Sequence, residues 1–179
     1  MPLIKLFLDI CRFRLGPQDV PRSGFLLGLV LALNALASLL LGLLEVDMAT
    51  AGLQTLVALA LLTAFIFASL RLSRHPGRFQ QTLTAALGCD ALIRTSLDAD
   101  VVPLITALAL PLLAAGLLLP SVQVTVSLML LATMLWEIAV IGHILRHALD
   151  LPYLAGLVAS LVYTMLSLKV MATVFPALH

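Results

Sequence analysis

Residues 24–44 read GFLLGLVLALNALASLLLGLL, a run without a formal charge in which Asn34 and Ser38 are the only polar side chains. At about 1.5 Å per residue such a helix crosses the roughly 30 Å hydrocarbon core of a bilayer. It is apolar on every side, so lipid and not a soluble core is its natural solvent. Ser23, directly before it, is placed to cap the helix by accepting a bond from an exposed backbone N–H. An acidic turn with Glu45 and Asp47 follows, and residues 49–70 make a second uncharged run.

The rest of the chain extends the pattern. Residues 101–119, with Pro103 near the start and Pro111 inside, form a third run, and Pro111 is expected to kink it by removing a backbone donor. Residues 122–145 form a fourth, carrying Trp136, Glu137 and His143, and 152–174 a fifth, with Lys169 near enough to its end to snorkel. The composition agrees: 62% hydrophobic and 11% charged residues with a mean hydropathy of +1.15, against roughly 25% charged in soluble domains. The fold class expected is all-α, a polytopic membrane helix bundle of five spans in one domain over 1–179, with the bilayer as its first partner. A net charge of +1 without basic–aromatic interleaving argues against nucleic acid.

Two segments stand apart. In 1–22, Leu3, Phe7, Ile10 and Cys11 share one helical side while Lys5, Asp9 and Arg12 line another, which suits either a helix in the membrane interface or a plain docking helix. Asp9, Arg12 and Arg14 interrupt its apolar run, so no cleaved signal peptide is expected. Residues 79–97 are long enough to span, but Gln80, Gln81, Thr82, Thr84, Asp90 and Arg94 make them too polar to face lipid. They are expected to form an amphipathic interfacial or partly re-entrant helix, with Asp90 and Arg94, four apart, able to pair.

With five spans, Lys5, Arg12, Arg14, Arg22, Arg71, Arg74, Arg78, Arg94 and Arg146 fall on the N-terminal side and Lys169 alone toward the other. The positive-inside bias then makes the N-terminus cytoplasmic and the C-terminus opposite. A sixth span at 79–97 would move Arg146 across and weaken the bias.

Glu137 is the chemical outlier, because a carboxylate inside a span costs about 2.5 to 3.5 kcal/mol unless partnered or protonated. Counting helical rise puts it roughly 13 Å from the cytoplasmic end, Asn34 at about 15 Å and Tyr163 at about 15 to 18 Å, with Ser160 and Thr106 near that level. Lys169 falls too far outward to reach it. A mid-membrane polar cluster of Asn34, Thr106, Glu137, Ser160 and Tyr163 is expected, as a proton or ligand site or as hydrogen-bonding glue between helices. His143 and His147, one turn apart, with Asp150 three residues on, are weak metal candidates, and a hydrated helix end is the reading preferred for them. Cys11 and Cys89 lack CxxC spacing and are expected as two buried thiols. No GxSxG, P-loop or GxGxxG motif occurs, so neither an enzyme nor a bound cofactor is expected. Small residues recur at helix-packing intervals: Gly24 and Gly28; Ala60, Ala64 and Ala68; Gly156, Ser160 and Thr164. These rows pack the bundle internally or receive the helix of another membrane protein or a second copy.

The layout resembles the Yip family of Rab-interacting membrane proteins in its cytoplasmic N-terminus and five closely spaced spans. Leu15-Gly16-Pro17 is similar to that family's Gly-Pro element before the first span, and residues 79–83 leading to Gly88 are similar to its polar helix before the third, with Trp136 in the fourth. The chain lacks the acidic-Leu-aromatic lead-in, the Tyr-Gly element and the long N-terminal region of eukaryotic members. Its brevity and its Arg, Leu and Ala usage suggest a bacterial relative in the inner membrane. The resemblance implies a scaffold or accessory subunit in membrane organisation or trafficking; the polar cluster around Glu137 offers the alternative of a small transporter or channel component.

Overall fold

The computed structural model describes residues 3–43, 46–93 and 120–176, with side chains from residue 131 onward in the last stretch. Every regular element among them is helical: α1 (Leu3–Cys11), α2 (Gly24–Gly42), α3 (Met48–Leu72), α4 (79–93), α5 (Pro120–Leu149) and α6 (Tyr153–Val174), with 3-10 turns at Pro17–Asp19 and Pro76–Arg78. Three of these, α2, α3 and α6, are long and apolar enough to cross a membrane, and each matches an expected span to within two residues. Only 17%, 17% and 6% of their apolar windows are buried. The remainder exposes a belt that includes Phe25, Leu33, Leu36, Leu40, Leu154 and Val158, a surface that would drive association in water and that lipid tails solvate. The expected span at 101–119, with Thr106 and Pro111, lies outside the described residues, as does Arg94. Helix α5 contains the fourth expected run but is longer, 30 residues or about 45 Å, and carries Glu137, His143, Arg146 and His147 along it.

Local chemistry sets the helix ends. Ser23 caps α2, its Oγ accepting from Leu26 N at 3.3 Å, and Asp47 caps α3 by accepting from Ala49 N and Thr50 N, both at 3.1 Å. Helices α1, α3 and α5 each finish in a non-glycine residue in the left-handed region: Phe13 (φ 61°), Arg74 (φ 61°) and Asp150 (φ 52°). At each, the next backbone N–H folds back onto the last turn: Arg14 to Asp9, His75 to Leu70 and Leu151 to Arg146, all at 2.9 Å.

The largest departure from the sequence reading is α4. An amphipathic interfacial or partly re-entrant helix is expected at 79–97; residues 81–89 are buried without a break, at the centre of the core, which excludes a helix lying on the surface. The polarity that disqualifies it from lipid is satisfied inside the protein. Gln81 donates to Val20 O (2.7 Å) and Gln18 O (3.1 Å) while accepting from Arg22 Nε (3.0 Å). Thr82 donates back to Arg78 O (2.8 Å) in the preceding 3-10 turn and Thr84 to Gln80 O (2.7 Å) in its own helix. A helix surrounded by protein needs neither a lipid face nor a water face.

Helix α1 takes the docking alternative. Its Leu6, Phe7, Ile10 and Cys11 face is buried in the same core. Phe7 packs so closely on α4 that a Cβ added to Gly88 would run into its ring, and Phe13 meets the rings of Trp136 and His143 at 5.5 and 5.2 Å. Cys11 and Cys89, 78 positions apart in the chain, are both buried in this core, and Cys89 Sγ donates to Phe7 O at 3.8 Å. Helices α5 and α6 cross at Gly142 and Gly156: a Cβ on Gly156 would lie 2.6 Å from Gly142 O and 2.7 Å from Arg146 Cβ.

Candidate binding cavity

Helices α2 to α6 leave between them a cavity of about 470 Å³. From α2 it takes Asn34, Ser38, Leu41 and Gly42, one face read at helical spacing, and from α3 Ala51, Gln54, Thr55, Ala58 and Leu62. Helix α4 contributes Ala86 and Asp90, α5 contributes Met134, Glu137, Ile138 and Ile141, and α6 contributes Tyr163, Thr164, Ser167 and Met171. All three apolar spans therefore turn a polar minority of their side chains to one interior volume. Residues 34 to 42 of α2 cover roughly 12 Å of depth at the helical rise, from mid-span to the α2–α3 turn.

Asn34 fixes the floor. It is 2% exposed, and its Nδ2 donates both to Leu87 O (3.1 Å) and to Asp90 Oδ2 (2.7 Å). One amide thus joins a span to the buried helix and aims the Asp90 carboxyl at the cavity. The expected Asp90–Arg94 pair lies half outside the described residues; within them, Asn34 is a partner of Asp90. Glu137 on α5 supplies the second carboxyl group, and Tyr163 on α6, tilted against Phe65 with ring centroids 5.2 Å apart, joins the wall. Asp90, Gln54 and Thr55 were not placed in this cluster by sequence, because depth counting needs span ends, which α4 lacks, and a reason to choose one face of α3.

Of the expected cluster, Asn34, Glu137 and Tyr163 come together. Ser160 does not join them: it is fully buried at the α5–α6 crossing, where its Oγ donates to Leu157 O at 2.8 Å and lies beside Gly142. Thr106 lies outside the described residues. Thr164 reaches the cavity while donating to Ser160 O at 3.0 Å.

The other candidates separate. His143 Nε2 lies 3.0 Å from Leu15 O and His147 Nδ1 2.9 Å from His143 O, so each ring spends a nitrogen on a backbone carbonyl. Asp150 turns away to Arg78 Nη1 (2.8 Å) and His75 Nε2 (3.4 Å), and among the described residues no three His, Cys, Asp or Glu gather as a metal site. A residue in the left-handed region after α5 sends its side chain across the helix end and not back along the α5 face, which is why spacing misled. Hydrogen bonding to Arg78 holds the Asp150 carboxyl below its ordinary value. Of the small-residue rows, Gly156 and Ser160 make an internal helix contact, while Gly24, Gly28, Ala60, Ala64 and Ala68 are exposed.

Comparison with known protein families, curated proteins and solved structures finds no match.

A volume walled by aliphatic side chains, with two amides, hydroxyls and two carboxyl groups on its lining, has the composition of a small-molecule site. Its polar groups would replace water around a positively charged or hydrogen-donating solute, and the low dielectric around them strengthens each such contact.

Proposed function

We propose that this chain is a non-enzymatic membrane protein that binds, and as a transporter component passes, a small cationic solute such as a protonated amine. The observation that carries the reading is the placement of Asp90, braced by Asn34, and of Glu137 on the wall of one cavity within a bundle of apolar spans. Carboxyl groups at such depth are expensive, and solute or ion pathways are where membrane proteins commonly keep them. In the proposed topology five helices span, with 101–119 the third and α5 the fourth, in a bacterial inner membrane. The basic end is cytoplasmic, so the cavity faces the opposite half of the bilayer.

Thermal unfolding of the protein in nanodiscs, titrated with methylammonium and short diamines, tests this. A bound amine at about a hundredfold its Kd stabilises by roughly 2.7 kcal/mol, and Glu137→Gln or Asp90→Asn should abolish the shift while leaving the unliganded protein folded. Uptake of the same amine into sealed proteoliposomes then separates transport from binding. An equal shift in wild type and Glu137→Gln would refute the reading.

The second reading, a scaffold or accessory subunit in membrane organisation as the Yip resemblance implies, draws on the outward row Ala60, Ala64 and Ala68 on α3. Small residues on a lipid-facing side allow another helix to approach closely. Bulky substitution at Ala64 should disrupt co-purification of a membrane partner without changing amine binding.

A further inference from the structure

The end of the bundle opposite the cavity holds a second, smaller recess of about 440 Å³, formed where the Pro17–Asp19 turn, the start of α4 and the close of α5 meet. Arg22, Arg78, Gln18, Thr82 and His147 line it, together with Asp150. Both guanidinium groups are held by one edge. Arg22 is fixed through Nε to Gln81 Oε1 at 3.0 Å, and Gln81, only 9% exposed, is itself locked by Val20 O and Gln18 O. Arg78 directs Nη1 to His147 O and Ala148 O, each at 3.2 Å, and to Asp150 Oδ2 at 2.8 Å. These contacts use one nitrogen of each fork and leave the others for an occupant.

Two cations and one carboxylate give the recess one net positive charge. The same end carries Arg71 and Arg74, which have no carboxylate partner among the described residues, and it joins the N-terminus of α2 to the C-terminus of α3, the level of lipid headgroups. Planar, pre-oriented guanidinium groups match the oxygen geometry of phosphate.

We propose that this recess binds a phosphate group, with Arg22 and Arg78 as its charged donors. The proposal is independent of the amine-binding reading, since it uses none of the cavity residues.

Native mass spectrometry of the detergent-purified protein offered phosphatidic acid, phosphatidylglycerol and phosphatidylcholine in equal amounts tests it, alongside thermal unfolding with inorganic phosphate. Arg22→Gln should lower retention of the anionic lipids about tenfold, the worth of one charge-assisted hydrogen bond. Arg71→Gln, at the same end but outside the recess, should leave retention unchanged. Because Arg78 also closes the end of α5, Arg22 carries the test. Arg22-dependent retention of anionic lipid identifies a headgroup site, and Arg22-dependent stabilisation by inorganic phosphate without lipid retention identifies a free phosphate; either supports the proposal. Equal retention of all three lipids with no effect of phosphate overturns it, and so does an Arg71→Gln loss as large as that of Arg22→Gln.

Discussion

Gly88 shows how one missing carbon sets the position of a whole element. Phe7 occupies the space where a Cβ would stand, and both residues lie in the buried core, so α1 can seat only against a glycine there. Gly88→Ala should destabilise by about 1–3 kcal/mol through overpacking, measured by reversible unfolding in mixed micelles, and Phe7→Leu in the same chain should restore part of the loss. Additive losses would mean that the two residues do not share the site. The neighbouring thiols, Cys11 and Cys89, are both buried and should alkylate slowly with maleimide until the protein is denatured. Their burial was readable from spacing, but their sharing of one core was not, because nothing local in the sequence says which helix α1 will dock upon.

Among the elements, the termini of α2 and α3 were legible because an uncharged run has two ends, each marked by a cap or a polar turn, and the start of α6 because Asp150 and Pro152 precede it. The buried helix α4 was not. Its Gln, Thr and Asp content reads as surface when each residue is weighed against lipid alone, and the partners of Gln81 and Asp90, namely Gln18, Val20, Arg22 and Asn34, stand 56 to 63 positions away. Where α5 ends, Arg78 satisfies two carbonyls and Asp150 together, a contact with a pH signature. The Asp150 carboxyl is depressed below its ordinary value of 3.8 by the hydrogen bond from Arg78. Its stabilisation is therefore complete above that value and disappears as pH falls through the lower, folded-state pKa. The melting temperature of wild type should exceed that of Asp150→Asn at neutral pH, and the gap should close below about pH 4; a gap that stays constant to acid pH would contradict the pairing.

Taken whole, the molecule is polar at one end, hollow toward the other and apolar around its girth. The girth was the most legible feature, since composition alone demands a lipid solvent. The hollow was half legible: Asn34, Glu137 and Tyr163 shared a depth, but Asp90 entered through a helix whose place only the three-dimensional packing reveals. The bridge from Arg78 to His147, Ala148 and Asp150 also constrains the order in which the protein can be made. Its acceptors are translated 69 to 72 residues after the arginine, roughly 4 to 14 s later at about 5–20 residues per second. For that interval Arg78 lacks these acceptors, so a ribosome-bound chain stalled before residue 147 should expose residues 74–80 to protease, and one stalled well beyond residue 150 should protect them.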